Sequence, residues 1–365
     1  MYDQFCAGRN RLEIQARILQ IKALGFSGVI LCYGKENQIQ KSGQHLVDNV
    51  EHSDSVLDEE LQFWRQGNLE TLDMIGDGDF LGIKYSGAGK SITEDLLRGK
   101  APPRAFVEAM DAILQKALAQ NCRIWIDAEQ QFLQGSIDRW TIDLMRKYNR
   151  GRKPVLYNTL QAYLKLSREK LQDQLRLAQR EGWQLAIKLV RGAYIENDMR
   201  ERIHDTKEET DASYNGIVRD LLSGDVKGLG TEFPTMQLFL AGHNPVSVSK
   251  ACNLIRELQQ QDRLKTLPEF GQLQGMADQL GCEVLQHGEE TAKASASAAR
   301  TISVPKVYKC LTWGSVQECM QYLVRRAVEN HGATGAVKDS MPALARELRR
   351  RMVDVVLWRR RRTSS

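Results

Sequence analysis

The clearest change from a strand pattern to a helix pattern lies in Val307-Tyr308-Lys309-Cys310-Leu311-Thr312-Trp313-Gly314 and in the segment Ser315–Asn330 that follows it. The first run is short, apolar and rich in aromatic residues, and it ends at a glycine, which predicts a strand. Ser315 with Glu318 three residues later is a capping-box pattern, which predicts a helix start. This part of the chain is therefore expected to form a strand, a tight turn and a helix.

The predicted helix has two different faces at 3.6 residues per turn. Its polar face carries Tyr322, Arg325, Arg326 and Glu329. The opposite face carries Met320, Leu323, Val324, Ala327 and Val328. Two adjacent guanidinium groups beside a tyrosine can bind a carboxylate or a phosphate through several planar donors. The alternative is a solvated face whose arginine–glutamate pairs add only about 0.2–0.5 kcal/mol each, and periodicity leaves both interpretations open.

Similar strand and helix patterns alternate along the rest of the chain. The predicted strands are 27–33, 80–85, 123–126, 154–157, 184–190, 235–240, 269–274 and 306–311. The predicted helices are 11–24, 59–74, 104–120, 134–148, 160–181, 211–222, 245–261, 274–280 and 316–330. Eight strand–helix units predict an α/β fold, a closed (β/α)8 TIM-like barrel with an extra N-terminal helix, although an open sheet of six strands with additions gives a similar pattern.

Length and spacing suggest a division of the chain. Residues 1–25 are predicted to form a helix on the barrel, 26–332 the barrel itself, and 333–365 a helical, arginine-rich tail. Two connections are long and polar, 34–58 after the first strand and 281–305 before the last. Because the second is rich in alanine and serine, we expect an insert there.

Composition excludes several classes of protein. The chain has 365 residues, 42% of them hydrophobic, and a formal charge of +5. Its seven cysteines are scattered singly, which favours reduced thiols over disulfides or zinc. No apolar run is long enough to span a bilayer, and the first residues lack the character of a transit peptide. The basic cluster Arg359–Arg362 is typical of a solvated chain end, with binding to nucleic acid or an anionic membrane as the alternative.

Polar residues follow several predicted strands, and in a barrel these ends form the catalytic face. Lys84 ends the second strand and needs an anion, either Asp127 or a bound acid. A structural Lys–Asp pair and a Schiff-base lysine of a lyase are the other interpretations of Lys84. Asn244 just before Pro245 predicts a helix N-cap, which is also an end that attracts phosphate.

Six segments, in this order, closely resemble the proline dehydrogenase family. They are 127–129, 157–163, 188–194, 242–244, 270–276 and 322–330. The resemblance implies a distorted (β/α)8 barrel that binds FAD. It also implies oxidation of L-proline to 1-pyrroline-5-carboxylate by transfer of a hydride from proline C5 to flavin N5.

The resemblance assigns roles to individual residues. Lys84, Arg325 and Arg326 would hold the carboxylate of proline, and Glu329 would orient an arginine. Leu189, Tyr308 and Tyr322 would pack around the pyrrolidine ring, and Asp127 would be an active-site acid. The implied contacts with FAD are Asp127, Gln161, Lys188, Val190, Arg191, Gly192, Ala193, Thr206, Lys207, His243 and Asn244. Lys188 is expected near N5, where its charge would stabilise the reduced flavin.

Partners and location are also implied by the resemblance alone. The family passes electrons to a membrane quinone, so we expect peripheral contact with the matrix face of the inner mitochondrial membrane, although this chain shows no leader sequence. No metal and no nucleic-acid partner is expected. A related branch oxidises hydroxyproline and lacks the tyrosine matched to Tyr308, so the presence of Tyr308 favours proline.

Overall fold

The computed structural model of the chain describes residues 1–34, 54–195, 198–229, 233–297 and 303–332, and for 54–58, 291–297 and 329–332 it describes the backbone alone. Eight parallel strands in these residues form a closed barrel, which confirms the predicted fold class. The strands are β1 (Gly28–Tyr33), β2 (Phe80–Ile83), β3 (Arg123–Ile126), β4 (Leu156–Gln161), β5 (Leu185–Val190), β6 (Met236–Ala241), β7 (Glu269–Leu273) and β8 (Val307–Trp313).

Each strand pairs with the next one in the chain, and β8 pairs with β1 to close the ring. The closing register runs from Gly28 opposite Tyr308 to Tyr33 opposite Trp313. Tyr308 therefore lies beside the first residue of β1, at the end of the barrel opposite the catalytic face. This register decides the position of a predicted site residue.

Helices alternate with the strands along the chain. They are α1 (Tyr2–Phe5), α2 (Arg11–Ala23), α3 (Asp54–Met74), α4 (Lys90–Leu97), α5 (Arg104–Ala119), α6 (Gln131–Tyr148), α7 (Ser167–Glu181), α8 (Lys207–Ser223), α9 (Pro245–Gln260), α10 (Asp278–Ser297) and α11 (Met320–Gly332). The N-terminal helix α2 packs on β1 and α3 with Ile14, Ile18 and Ile21 buried. Within the described residues, no helix is both long enough and apolar enough to cross a bilayer.

The alternation of side chains along the strands separates two cores. The larger core lies between strands and helices, and the smaller one fills the barrel interior. The interior core is mostly aromatic: Phe80, Trp125, Tyr157, Phe239 and Tyr308, with Ile30 and Ala186. Buried aromatic rings in edge-to-face contact pack densely, which leaves a solid barrel floor below the catalytic face.

Several predicted boundaries are wrong, and one of them is the start predicted at 316 for the last helix, which is α11 and starts at Met320. Residues 281–305 were expected to be a polar insert, but α10 extends from Asp278 to Ser297. Alanine and glutamate favour helix, so low sequence complexity here reflects helix propensity rather than an irregular loop. The strand predicted at 154–157 lies at Leu156–Gln161 instead, and the helix predicted to start at 160 is α7, which starts at Ser167.

The chain divides into two compact units, Met1–Cys319 and Met320–Ser365. The first holds the complete barrel and the second begins with α11. The division at residues 25 and 332 stays a prediction. The tail 333–365 with its arginine cluster, and residues 35–53 of the first long connection, lie outside the described residues.

Candidate functional site

The C-terminal face of the barrel contains a buried ion pair. Lys188 of β5 is 8% exposed, and its ammonium group donates to the carboxylate of Asp127, which follows β3. The ammonium nitrogen also lies 3.9 Å from the ring centre of Trp125. Asp127 was one of the two anions proposed for Lys84, the other being a bound acid, and in the structure Asp127 accepts from Lys188. The alternation along β5 explains this contact, because it points Ala186 and Lys188 into the barrel.

Lys84 lies at the start of a 3₁₀ turn, Tyr85–Ala88, directly after β2. The carboxyl group of Glu129, 5% exposed, accepts hydrogen bonds from the backbone N–H of Ser86 at 3.1 Å and from the Ser86 hydroxyl group. Burial raises the pKa of Glu129, while the Ser86 hydrogen bonds and the charge of Lys84 act in the opposite direction. Lys84 thus lies in the electrostatic field of a second buried acid at this face.

A polar network connects the ends of β5 and β6. Arg191 donates to Asp211 of α8 at 2.8 Å and to the Ser247 hydroxyl of α9 at 2.6 Å. Asp211 also accepts from Lys207 at 2.6 Å. Asn244 caps α9 by accepting from the Ser247 N–H at 3.0 Å, which confirms the predicted N-cap. Three predicted FAD residues are therefore linked through Asp211 and Ser247.

Gly192 follows Arg191 in a conformation that only glycine adopts easily. Its φ is +148°, and a Cβ atom there would lie 2.4 Å from the ring of Tyr163. The Tyr163 hydroxyl group donates to Asp198, and the Tyr163 N–H donates to the Arg191 carbonyl at 2.7 Å. A side chain at position 192 would therefore push this loop away from the face of the barrel.

Other predicted FAD residues surround the same face. Gln161, the last residue of β4, is 3% exposed, and within the described part of the chain its amide nitrogen and oxygen have no hydrogen-bond partner. His243 accepts from the Leu273 N–H at 3.0 Å. Thr206 caps α8 by accepting from the Glu209 N–H at 3.1 Å. Val190 and Ala193 lie on either side of Arg191 and Gly192 in the chain. Val190 is partly exposed and Ala193 is exposed.

The structure does not place two predicted substrate contacts at this face. Tyr308 lies in the barrel floor, where its hydroxyl accepts from Arg123 at 2.8 Å and donates to Glu269 at 3.1 Å. Leu189 is 0% exposed in the core between strands and helices, because its neighbour Lys188 takes the inward position. The next inward residue of β8 toward the catalytic face is Cys310, which packs against the interior core.

In α11, exposure does not divide along the polar and apolar faces that the sequence pattern defines. Tyr322 and Arg326 are 4% and 6% exposed, whereas Val324 and Val328 are 50% and 57% exposed. The guanidinium carbon of Arg326 lies 5.3 Å from the ring centre of Tyr322. The solvated interpretation of the arginine face is therefore wrong for Arg326. The side chain of Glu329 lies outside the described residues.

Sequence reasoning missed three residues of this face. Trp125 contacts Lys188, while Asp211 and Ser247 connect Arg191 to α8 and α9. The signal for Trp125 was the period-two pattern that points Arg123, Trp125 and Asp127 to the same side of β3. Asp211 lies four residues after Lys207, the spacing of a helical ion pair. Among the described residues, no group of three or more His, Cys, Asp or Glu side chains is arranged to bind a metal ion.

Comparison with known proteins gives a consistent result. A family model described as proline dehydrogenase matches residues 14–339. The chain is 32% identical over 260 residues to a probable mitochondrial proline dehydrogenase of Schizosaccharomyces pombe. That alignment covers 68% of this chain and 50% of the relative. The human mitochondrial proline dehydrogenase 1 is 32% identical over 255 residues, 68% of this chain and 39% of the relative. The chain thus spans about half of the length of the first relative and less than half of the length of the second.

Two further matches extend over most of the chain. A hydroxyproline dehydrogenase of Bos taurus is 26% identical over 404 aligned positions, which cover 97% of this chain and 81% of the relative. The crystal structure of proline utilization A from Bdellovibrio bacteriovorus matches with a TM-score of 0.68 at 16% identity, covering 90% of this chain and 32% of that one. At this identity, the structural match supports the fold alone.

Proposed function

The chain belongs to the proline dehydrogenase family, and on that premise we propose that it is an FAD-dependent oxidoreductase that converts L-proline to 1-pyrroline-5-carboxylate. The observation that carries the proposal is the Lys188–Asp127 pair, which places a nearly buried ammonium group at the C-terminal face of a closed barrel. Such a charge is costly unless it is paired, as Asp127 pairs it here, and ionisable groups buried at the catalytic face of a barrel are candidates for function. Two relatives, one named probable mitochondrial proline dehydrogenase and one named mitochondrial proline dehydrogenase 1, are each 32% identical to this chain.

The residues at this face fit FAD. The buried amide of Gln161, without a partner among the described residues, offers both a donor and an acceptor to a ligand with ring amide and carbonyl groups. Arg191 and Lys207 supply positive charge, and the α9 N-terminus behind Asn244 supplies backbone N–H groups, for a pyrophosphate. A bound FAD would provide the acceptor for the hydride that leaves proline C5.

The chain's own groups would orient the substrate and stabilise charge. We assign Arg325, Arg326 and Lys84 to the carboxylate of proline, Glu329 to the orientation of an arginine, and Tyr322 to the ring. Lys188 would hold positive charge beside the reacting atoms, where a fixed charge acts strongly because water is excluded. Asp127 keeps the ammonium group of Lys188 in place through the ion pair.

Gly192→Ala is expected to lower the FAD content of the purified protein about tenfold, because a Cβ atom in this left-handed conformation displaces the loop that carries Arg191. The measurement is flavin absorbance per mole of protein. Gly182→Ala is the matched control, because Gly182 also has a positive φ, +70°. A Cβ atom added at Gly182 would meet no atom within 4 Å. Gly182 ends α7, at the opposite end of the barrel from the proposed cofactor site. An equal loss of FAD in both variants would contradict the placement of the cofactor.

Hydroxyproline is the second candidate substrate. The preference for proline rested on Tyr308, which the structure places in the barrel floor, and a relative named hydroxyproline dehydrogenase aligns with 97% of this chain. A Schiff-base lyase that uses Lys84 remains the alternative from a different class. It requires no flavin and predicts a colourless protein that borohydride traps with its substrate.

Anaerobic mixing of the purified protein with proline or hydroxyproline tests the proposal. Bleaching of a bound flavin by proline, at a rate at least tenfold above that with hydroxyproline, is the expected result. Faster bleaching by hydroxyproline than by proline would identify hydroxyproline as the preferred substrate. A folded protein that shows no flavin absorbance would contradict the proposed dehydrogenase activity.

Electron transfer to a membrane quinone and location at the matrix face of the inner mitochondrial membrane complete the proposal. The support is the word mitochondrial in the names of relatives from Schizosaccharomyces pombe, Caenorhabditis elegans and Homo sapiens. A soluble quinone analogue should reoxidise the reduced flavin faster than dissolved oxygen does, and the two rates can be compared in one stopped-flow experiment.

A further inference from the structure

The ammonium group of Lys188 contacts two side chains that lie two residues apart at the end of β3. One is the carboxylate of Asp127, and the other is the face of the Trp125 ring, whose centre lies 3.9 Å from the ammonium nitrogen. Trp125 is 2% exposed. A cation over an aromatic face is attracted by the ring quadrupole, indole is the strongest side chain for this contact, and the attraction grows when water is excluded.

The ring of Trp125 is fixed by its neighbours. Its centre lies 5.1 Å from that of Phe239 in an edge-to-face contact and 5.5 Å from that of Phe80. Within the described residues, the indole N–H has no hydrogen-bond partner. Packing rather than hydrogen bonding therefore orients the ring, and the orientation presents its electron-rich face to Lys188.

The neighbouring strand leaves room for this large ring. At Gly82 of β2, a Cβ atom would lie 2.7 Å from the indole nitrogen of Trp125 and 2.4 Å from the sulfur of Cys32. Any larger residue at position 82 would displace the indole. Gly82 and Trp125 are Cα partners in the β2–β3 register, so the small residue and the large one fit each other directly.

We propose that Trp125 is a positioning residue for flavin reduction: its ring face, with Asp127, fixes the ammonium group of Lys188 at the C-terminal face of the barrel. The inference rests on the proposed function, because the benefit of the fixed charge is its action on a bound flavin. A cation near the flavin ring favours the reduced, negatively charged form. Loss of Trp125 therefore makes the reduction potential of the flavin more negative and slows its reduction, while binding of substrate is unaffected.

Trp125→Leu is expected to lower the rate constant for flavin reduction in single-turnover experiments about tenfold, the loss expected for one cation–π contact away from water. Trp125→Phe keeps an aromatic face and fills most of the volume, so a loss of about two- to threefold is expected. Rates are normalised to bound flavin, and the dissociation constant for the substrate should change less than about twofold in both variants.

Two controls separate positioning from a general effect of losing a buried tryptophan. Trp183→Phe replaces a tryptophan that is 4% exposed and lies just before β5 at the opposite end of the barrel, and it should leave the flavin potential unchanged. In a Lys188→Met background, Trp125→Leu should cause no further loss of rate and no further shift of potential. Equal losses with and without Lys188, or a shift of potential in Trp183→Phe, would overturn the proposal.

A readout that needs no flavin keeps the proposal distinct from the assigned activity. In thermal unfolding, the shift of Tm caused by Trp125→Phe should be smaller in the Lys188→Met background, because the contact is already absent there. Additive shifts would show that the ring and the ammonium group do not interact. If the protein binds no flavin, the proposed function fails, but this cycle still decides whether the contact exists.

Discussion

We expect Arg326→Met to raise the Michaelis constant for proline about 30- to 1000-fold. This increase corresponds to a loss of about 2–4 kcal/mol of binding free energy. The expected size follows from the loss of a planar donor pair to a carboxylate away from water. Arg326 is 6% exposed, so water would not easily replace the missing donors. Arg325→Met should produce a loss in the same range.

The control for this prediction is an arginine in full solvent. Arg104→Met removes a guanidinium group whose side chain is 92% exposed and pairs with Glu108 in the first turn of α5. It should leave the Michaelis constant unchanged, because an exposed pair contributes little. Unchanged Michaelis constants in both Arg325→Met and Arg326→Met would refute the assignment of these arginines to the carboxylate.

The sequence predicted all eight strands because most of them are dominated by apolar runs with clear ends. The position of β4 was predicted less well, because Asn158, Thr159 and Gln161 belong to the strand although they are polar. Asn158 donates to Asp138 at 3.0 Å, and Thr159 donates to the Ile126 carbonyl at 2.6 Å. Polar residues within a strand obscure the apolar pattern by which a strand is predicted. Here they lie toward the catalytic face, where polar side chains can bind a ligand.

Positions within the barrel were harder to predict than the strands themselves. Tyr308 and Cys310 share one side of β8, and the direction of the chain places Tyr308 nearer the N-terminal end of the barrel than Cys310. Their depth relative to the catalytic face is set by the register with Gly28 of β1. The same applies to Asp127, whose partner Lys188 comes from β5, two strands away around the ring. Contacts across a barrel depend on closure and stagger, which no local pattern encodes.

Arg123→Met is expected to lower the free energy of unfolding by about 3–5 kcal/mol, because it leaves the Glu269 carboxylate buried without its cation. Arg123 donates to Glu269, to the Tyr308 hydroxyl at 2.8 Å and to the Gly78 carbonyl at 3.0 Å, and its guanidinium carbon lies 3.8 Å from the ring centre of Phe80. Denaturant unfolding monitored by circular dichroism gives the measurement.

The double variant Arg123→Met, Glu269→Leu should recover most of this loss, since two apolar side chains replace both charges. Tyr308→Phe removes only hydroxyl hydrogen bonds and should cost about 1 kcal/mol. Burial raises the pKa of Tyr308, so its hydroxyl group stays protonated and keeps donating to Glu269. Because this network lies in the barrel floor, Tyr308→Phe should change the Michaelis constant for proline by less than about twofold. A tenfold rise with unchanged stability would instead place Tyr308 against the substrate.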